Sequence, residues 1–157
     1  MNISFSIETL DRNRLDPSVQ SLLDAACQAL DQAYAPYSGF RVAASLRLSD
    51  GRILTGTNQE NASYPVGICA ERVAISAVNS IAPGAIVESM AIAYRPSVGK
   101  GDSPLAPCGM CRQALVEQHS RQNQPIELIM AGESGPIWRL ADSSVLLPLA
   151  FTPKSLE

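Results

Sequence analysis

Residues 69–94 read CAERVAISAVNSIAPGAIVESMAIAY, and this stretch decides the fold class. Its first half has apolar residues at helical spacing, which predicts a helix over residues 70–81. The stripe expected to be buried consists of Val73, Ala74, Ala77, Val78 and Ile81. Pro83 and Gly84 end this helix, and Val87–Tyr94 is a continuous apolar run typical of a buried strand. A helix that leads directly into a buried strand indicates an α/β fold.

The sequence before this stretch predicts a helix and a β-hairpin. Helical spacing behind an Asp16 cap, with Pro17 in the first turn, predicts a helix over residues 16–34. Apolar residues then alternate over residues 40–48, and a Ser-Asp-Gly turn leads into residues 52–56. Alternation on both sides of a tight turn is typical of a hairpin.

The sequence after it predicts one more helix and two more strands. Pro107 is suited to a helix start, and the helix is expected to run to about His119. Residues 126–131 and 136–140 are strand-like, and the short turn between them makes the two strands antiparallel. The earlier strands are separated by helices, which implies parallel crossovers. We therefore expect a three-layer α/β/α fold with a mixed five-stranded sheet whose last two strands are antiparallel.

Composition favours one compact domain over residues 1–157 and limits the classes of function. Hydrophobic residues make up 46% of the 157, the net charge is -3, and arginines and lysines do not form a basic stripe. This argues against nucleic-acid binding. No secretory signal or membrane-spanning run is evident, so we expect a soluble, cytoplasmic protein without a membrane partner. Four cysteines in such a protein favour metal binding or catalysis over disulfides.

Two cysteine motifs carry the chemistry. Cys108 and Cys111 lie three residues apart at a helix start, where they can hold one metal ion, but alone this spacing equally fits a redox dithiol. Cys69 adds a third sulfur at the start of the preceding helix, and Glu71 adds a carboxylate. Three protein ligands leave zinc one position for water, which is the arrangement of a catalytic site. Glu71 is then the candidate general base and acid.

Three further residues bear on this zinc hypothesis. Cys27 could close the site as a fourth ligand, although its place beside the apolar face of the first helix favours a packed thiol. His119, the only histidine, lies far along its helix from the cysteines and is expected to be a surface or satisfied helix residue. Arg72 could offset the negative charge of three thiolates, together with two helix N-termini, or could be an ordinary exposed arginine.

The motifs resemble those of the cytidine deaminase family. Residues 69–72 and 107–113 resemble its two zinc signatures in order and spacing, with cysteine as the first ligand, as in the small free-nucleoside branch. Further matches are residues 36–40, 58–65 and 146–151. The resemblance implies one Zn²⁺ per subunit, a homotetramer with sites at subunit interfaces, and hydrolysis of cytidine or deoxycytidine to the uridine product and ammonia, as in pyrimidine salvage.

The same resemblance implies the substrate contacts. Asn58 and Glu60 would hold the ribose hydroxyls; an amide and a carboxylate two residues apart on an extended segment do point to one side. Phe40 would line the nucleoside pocket, and Phe151 of a neighbouring subunit would stack on the base, although either ring could instead belong to the core. The backbone of Ala70 would meet the pyrimidine oxygen. That of Ala106, where the family usually has serine, would orient the amino group.

Other functions compete with this one. Deaminases of cytosine-containing antibiotics of the blasticidin type share the zinc motifs but lack the Asn-x-Glu-Asn segment, so Asn58 and Glu60 argue against them. A polynucleotide deaminase would need a basic channel, which this acidic chain does not offer. A non-catalytic zinc or redox module remains as the alternative outside enzymology.

Overall fold

A computed structural model describes residues 2–156, in which nine helices and strands build the architecture. They follow the chain as β1 Glu8–Leu10, α1 Pro17–Ala29, β2 Arg41–Leu48, β3 Ile53–Thr57, α2 Ala70–Ile81, β4 Val87–Arg95, α3 Gly109–Gln122, β5 Glu127–Ala131 and β6 Ile137–Leu140. Short 3₁₀ turns join them, among them 30–32, 64–66 and 143–146. None of the helices within residues 2–156 is both long and apolar enough to cross a membrane.

The strands form one mixed sheet in the order β1-β6-β5-β4-β2-β3. Only β4 and β5 pair in parallel, and β5 and β6 are antiparallel as predicted. β2 lies between β3 and β4 and is antiparallel to both, so β3 and β4 run in the same direction without being hydrogen-bonded neighbours. β3, α2 and β4 thus form a parallel crossover, as predicted. β2, the first strand of the hairpin, lies between β3 and β4 in the sheet.

The expected count of five strands is wrong by one, because β1 adds a sixth at the sheet edge. Its three residues pair with β6, with Thr9 opposite Trp138. A run of three residues is too short to display an alternating pattern, and its partner lies more than a hundred residues away. Nothing local in the sequence therefore marks it as a strand.

Helices cover both faces of the sheet, which confirms the three layers. Because successive strand residues point to opposite faces, neighbouring residues divide between two cores. Ala44, Met90 and Leu128 pack with α2 and α3. Their neighbours Ala43, Ala91 and Ile129 pack with α1 on the other face.

Two details of the helices differ from the sequence prediction. α1 ends at Ala29, five residues early, because the chain turns out of the helix and Tyr34 pairs with residues 58–60 through its backbone. In α2 the fully buried positions are Ala70, Ala74 and Val78, while Ile81 is 52% exposed at the helix end. The buried stripe is thus shifted toward the N-terminal turn, where the cysteine cluster lies.

Candidate metal centre and substrate cavity

Three of the four cysteines converge where two helices begin. Cys69 and Cys108 occupy the extended positions just before α2 and α3, and Cys111 lies in the first turn of α3. The three sulfurs all lie within 4.8 Å of one another. The distance from the Cys108 sulfur is 3.9 Å to that of Cys69 and 3.5 Å to that of Cys111.

These spacings fit one tetrahedral zinc ion. Zn–S bonds of about 2.3 Å at tetrahedral angles put neighbouring sulfurs about 3.8 Å apart. The two distances from the Cys108 sulfur are near that separation, and the three cysteines lie where the N-termini of α2 and α3 meet. The partial positive charge of those N-termini favours thiolates at this point. The residues present therefore fit a zinc ion with three protein ligands.

The thiols at the centre differ in acidity. The pKa of Cys69 is lowered to about 6, chiefly because the neighbouring Cys111 thiol stabilises its thiolate by hydrogen bonding, against the effects of burial and of Glu71. The pKa of Cys111 is raised, chiefly through its interaction with Cys69 and then through burial. Without a metal ion the cluster thus gives up one proton readily and keeps another, whereas a divalent cation favours loss of all of them.

Cys27 does not belong to this centre, and the closed four-cysteine site is excluded. Cys27 packs partly buried against the core under α1, on the opposite face of the sheet from α2 and α3. Burial raises the pKa of its thiol, as expected for a packed cysteine. His119 is likewise remote from the cysteine cluster: it lies late in α3 with its Nδ1 3.4 Å from a carboxylate oxygen of Asp142.

Glu71 is a buried carboxylate that reaches the cavity. It lies in the first turn of α2, two residues after Cys69, and only 5% of it is exposed. It nevertheless lines the same cavity as Cys69 and Cys108, and its negative charge is close enough to the cluster to raise the pKa of the Cys69 thiol. This position suits proton transfer to and from a molecule held there.

Arg72 follows Glu71 and is half-buried. Its positive charge lowers the pKa of the Cys69 thiol, more weakly than the neighbouring thiols do. No hydrogen bond from Arg72 to a cysteine sulfur occurs within residues 2–156. Among the described residues, Arg72 therefore acts on the Cys69 thiol through its charge and not through a direct bond.

A cavity of about 600 Å³ opens beside the cysteines. Its lining includes the polar segment after β3, from Asn58 to Asn61, and also Leu105, Ala106 and Cys108. We call residues 107–111, which lead into α3 and carry Cys108 and Cys111, the zinc-binding loop. Glu60 and Glu71 are the charged residues of its lining, which includes no lysine, arginine or histidine. The cavity can therefore hold an uncharged polar molecule but offers no side-chain cation to an anionic group.

Asn58 is fixed in this wall by two backbone hydrogen bonds. Its side-chain oxygen accepts from the Val42 N–H at 2.8 Å, and its amide nitrogen donates to the Phe40 carbonyl at 2.9 Å. An asparagine side chain has two N–H donors and two acceptor positions. One of each therefore remains for a ligand.

Glu60 accepts three hydrogen bonds from the turn before β2. The Tyr37 and Ser38 N–H groups donate to one carboxylate oxygen at 2.9 and 3.3 Å, and the Ser38 hydroxyl donates to the other. The Ser38 hydroxyl is the main reason that the pKa of Glu60 lies below its ordinary value. Glu60 is thus an ionised acceptor at neutral pH.

The remaining predicted substrate residues divide into two groups. Ala70 and Ala106 line the cavity, as their expected backbone contacts require. Phe40 is not part of its lining, because its ring stacks on Tyr94 at a centroid distance of 5.1 Å. Phe151 is 59% exposed and also lies outside its own chain's cavity, with its carbonyl accepting a 2.7 Å bond from Gln113.

Two residues that shape the centre were not anticipated from the sequence. Gly56 lies so close to α2 that a Cβ there would meet the backbone of Ala70 and Ala74; a glycine inside a strand pattern is the available signal. Arg112 donates from Nε to the Pro107 carbonyl at 2.9 Å and from Nη1 to the Leu146 carbonyl at 3.3 Å. It thereby links the zinc-binding loop to the C-terminal segment, and its place after Cys111 is the only hint in the sequence.

The fold and the centre define a class of protein: α/β/α hydrolases in which thiolates at two helix N-termini hold zinc beside a buried carboxylate. Residues 17–124 match the family described as the cytidine and deoxycytidylate deaminase zinc-binding region. The cytidine deaminase of Halalkalibacterium halodurans is 37% identical over 138 residues, which cover 88% of this chain and 97% of that protein. The chain belongs to the cytidine and deoxycytidylate deaminase family.

Solved structures agree with this assignment. The crystal structure of cytidine deaminase from Burkholderia pseudomallei is similar with a TM-score of 0.71 and 35% identity, over 84% of this chain and 98% of that one. Cytidine deaminase from Mycobacterium leprae matches with a TM-score of 0.65 and 35% identity, over 85% and 99% of the two chains. The similarity therefore extends over nearly the whole length of both solved chains.

Proposed function

We propose that this protein hydrolyses free cytidine or deoxycytidine to uridine or deoxyuridine and ammonia. The observation that carries the proposal is the place of Glu71, a buried carboxylate that shares one cavity with two of the three clustered cysteines. Zinc bound there would supply Lewis-acid chemistry that activates water as the nucleophile. Cys69, Cys108 and Cys111 are the residues that would hold it.

Glu71 is proposed to carry the protons of the reaction. It takes one proton from the attacking water and delivers it to ring N3, which makes C4 electrophilic. After oxygen has added to C4, Glu71 transfers the second water proton to the amino group, and ammonia leaves as the C4–N bond breaks. One water is consumed for each ammonia released, and the carboxylate is regenerated. The Ala70 and Ala106 backbones are proposed to orient the ring oxygen and the amino group.

The charge of the cavity supports nucleosides over nucleotides within this family. Within the single chain, a 5′-phosphate would face a lining that contains two carboxylates and lacks basic side chains among the described residues. Burying a doubly charged anion without a partner is costly. Asn58 and Glu60 instead offer neutral and anionic hydrogen-bonding groups suited to sugar hydroxyls.

We further propose that the single domain assembles as a homotetramer in which neighbours complete the sites. Large apolar side chains are exposed around the cavity and the zinc-binding loop, with Tyr64 76%, Val66 63% and Met110 62% exposed. Clustered exposed apolar groups favour contact with another protein surface. Phe151 would then reach a neighbouring site rather than its own. Arg72 is proposed to offset the thiolate charge.

A cytoplasmic role in pyrimidine salvage fits this chemistry, because the cytosol keeps thiolate ligands reduced. The test is an ultraviolet assay of the zinc-loaded protein with cytidine, deoxycytidine and deoxycytidine 5′-monophosphate. We expect conversion of both nucleosides and at least a hundredfold lower kcat/KM for the nucleotide. Zinc-loaded protein that leaves cytidine unchanged would contradict the proposed reaction; preference for the nucleotide would contradict the substrate class alone.

A further inference from the structure

The turn before β2 is built around the carboxylate of Glu60. Three donors converge on it: the N–H groups of Tyr37 and Ser38, and the Ser38 hydroxyl. The Ser38 oxygen also accepts the Phe40 N–H at 2.9 Å. Because an ionised carboxylate can only accept hydrogen bonds, the Ser38 hydroxyl is the donor in its bond with Glu60.

Counting acceptor positions shows what is left for a ligand. An ionised carboxylate offers about four lone-pair positions, two on each oxygen. Two N–H groups fill one oxygen of Glu60, and the Ser38 hydroxyl takes one position on the other. One acceptor position remains, and both Ser38 and Glu60 line the cavity.

The donors themselves are held in place from behind. Gly39 has a φ of +65°, and its N–H donates to the Ala35 carbonyl at 3.0 Å, which closes the turn. A Cβ at Gly39 would lie 2.7 Å from the Cβ of Ser97, so the loop after β4 packs directly on this turn. These contacts therefore fix the backbone of the turn that carries the three donors.

We infer that Ser38 is a positioning residue for sugar recognition: its hydroxyl orients Glu60 so that one carboxylate position faces one sugar hydroxyl of the substrate. Ser38 acts through Glu60 and contacts no reacting atom. The inference rests on the proposed function, because it assumes a nucleoside in the cavity. An alanine at this position would keep both N–H donors but lose the donor to the second carboxylate oxygen.

The experiment compares two substrates across three variants of the zinc-loaded enzyme. The variants are Ser38→Ala, Ser38→Thr, which keeps the hydroxyl, and Ser80→Ala, an exposed serine of α2, as control. The substrates are cytidine and 2′,3′-dideoxycytidine, which lacks the sugar hydroxyls that Glu60 could bind. Zinc content and cytidine binding by calorimetry are measured on the same samples.

We expect Ser38→Ala to lower kcat/KM for cytidine roughly tenfold, mainly through KM, as befits loss of a hydrogen bond to a charged group. Its effect on dideoxycytidine should stay within about twofold, Ser38→Thr should restore most of the loss, and Ser80→Ala should match the wild type. Equal losses on both substrates would show a merely structural role and overturn the inference. Unchanged kcat/KM for cytidine in Ser38→Ala would overturn it as well.

The same samples separate this inference from the proposed reaction. If the wild type binds cytidine without converting it, the proposed reaction fails, and the calorimetric Kd values for the two ligands decide the role of Ser38 by the same comparison. If the wild type neither binds nor converts cytidine, both the reaction and the inference are overturned.

Discussion

Gly56 and Ala74 bring strand β3 and helix α2 into backbone contact. A Cβ placed on Gly56 would lie 2.5 Å from the amide nitrogen of Ala74 and 2.7 Å from the carbonyl oxygen of Ala70. Both contacts fall on the first turns of α2, which also carry Glu71 and directly follow Cys69. The absence of a side chain at Gly56 therefore sets how closely the N-terminal end of α2, beside the cysteine cluster, packs on the sheet.

Replacing Gly56 with alanine should force α2 away from the sheet. Overpacking of this kind costs about 1–3 kcal/mol, and the displacement acts at the metal ligand itself. We expect a lower free energy of unfolding and weaker zinc binding, measured by chemical denaturation and by competition with a chelator. Thr55→Ala, an exposed change on the same strand, is the control and should lose less than about 1 kcal/mol. A Gly56→Ala protein with wild-type zinc affinity would show that this contact does not position the centre.

Local patterns predicted most of the fold and the whole cysteine cluster. The helical spacing of residues 70–81 and the buried run that follows needed only the sequence, because both reflect burial on a fixed period. Cys69 and Cys108 could be placed together because each precedes a helix after a strand. The carboxyl ends of β3 and β4 lie at the same end of the sheet, and so do the N-termini of α2 and α3, the helices that follow them.

Features that depend on distant partners were not available from the sequence. β1 is defined only by its pairing with β6. The position of β2 between β3 and β4 depends on how distant strands pair, which no local pattern predicts. The ring of Phe40 was expected in the cavity, but in the single chain it stacks on Tyr94, whose proximity no local pattern reveals. Arg112 likewise bonds a carbonyl 34 residues away.

Glu71→Gln should retain zinc and lose nearly all deamination. The amide keeps the size of the side chain but cannot accept and return a proton, so we expect kcat to fall roughly 10²–10⁴-fold. Zinc content is measured by elemental analysis and turnover by the ultraviolet change of cytidine. Glu88→Gln, an exposed change on β4, serves as the matched control and should be fully active. Substantial activity of Glu71→Gln would rule out its role as proton carrier.

The cysteines should separate into three ligands and one packed thiol. Cys108→Ala removes a ligand and should reduce bound zinc well below one ion per chain, with loss of activity. Cys27 lies on α1, against the core on the other face of the sheet, so Cys27→Ala should keep one zinc ion and most of the activity. Metal analysis of the two purified variants provides the measurement. Loss of zinc from Cys27→Ala would mean that the metal is held elsewhere.

Removing the metal should expose thiols of unequal reactivity. With a pKa of about 6, Cys69 is mostly thiolate at pH 7, so it should be the first cysteine alkylated by iodoacetamide in chelator-treated protein. Because its thiolate is protonated as the pH falls through 6, its rate should drop toward pH 5, whereas the raised pKa of Cys111 keeps that thiol slow throughout. Peptide mass spectrometry after timed quenching gives the rates. Faster alkylation of Cys111 than of Cys69 at pH 7 would contradict this order, and zinc-loaded protein should be protected at both.

Phe151 should serve a site on a neighbouring subunit. It is 59% exposed, lies outside its own cavity and is held through its backbone by Gln113. Phe151→Ala should therefore keep its zinc and lower kcat/KM for cytidine about tenfold or more, as expected when a stacked aromatic side chain is lost. Leu156→Ala, an exposed apolar change in the same terminal segment, is the control and should be active.

The decisive measurement uses co-expressed Phe151→Ala and Glu71→Gln subunits. If Phe151 acts on a neighbour, some sites in the mixed oligomers combine an intact Glu71 from one subunit with an intact Phe151 from the other. The activity of the mixture should then exceed the sum of the two variants alone. Activity no greater than that sum would assign Phe151 to its own chain.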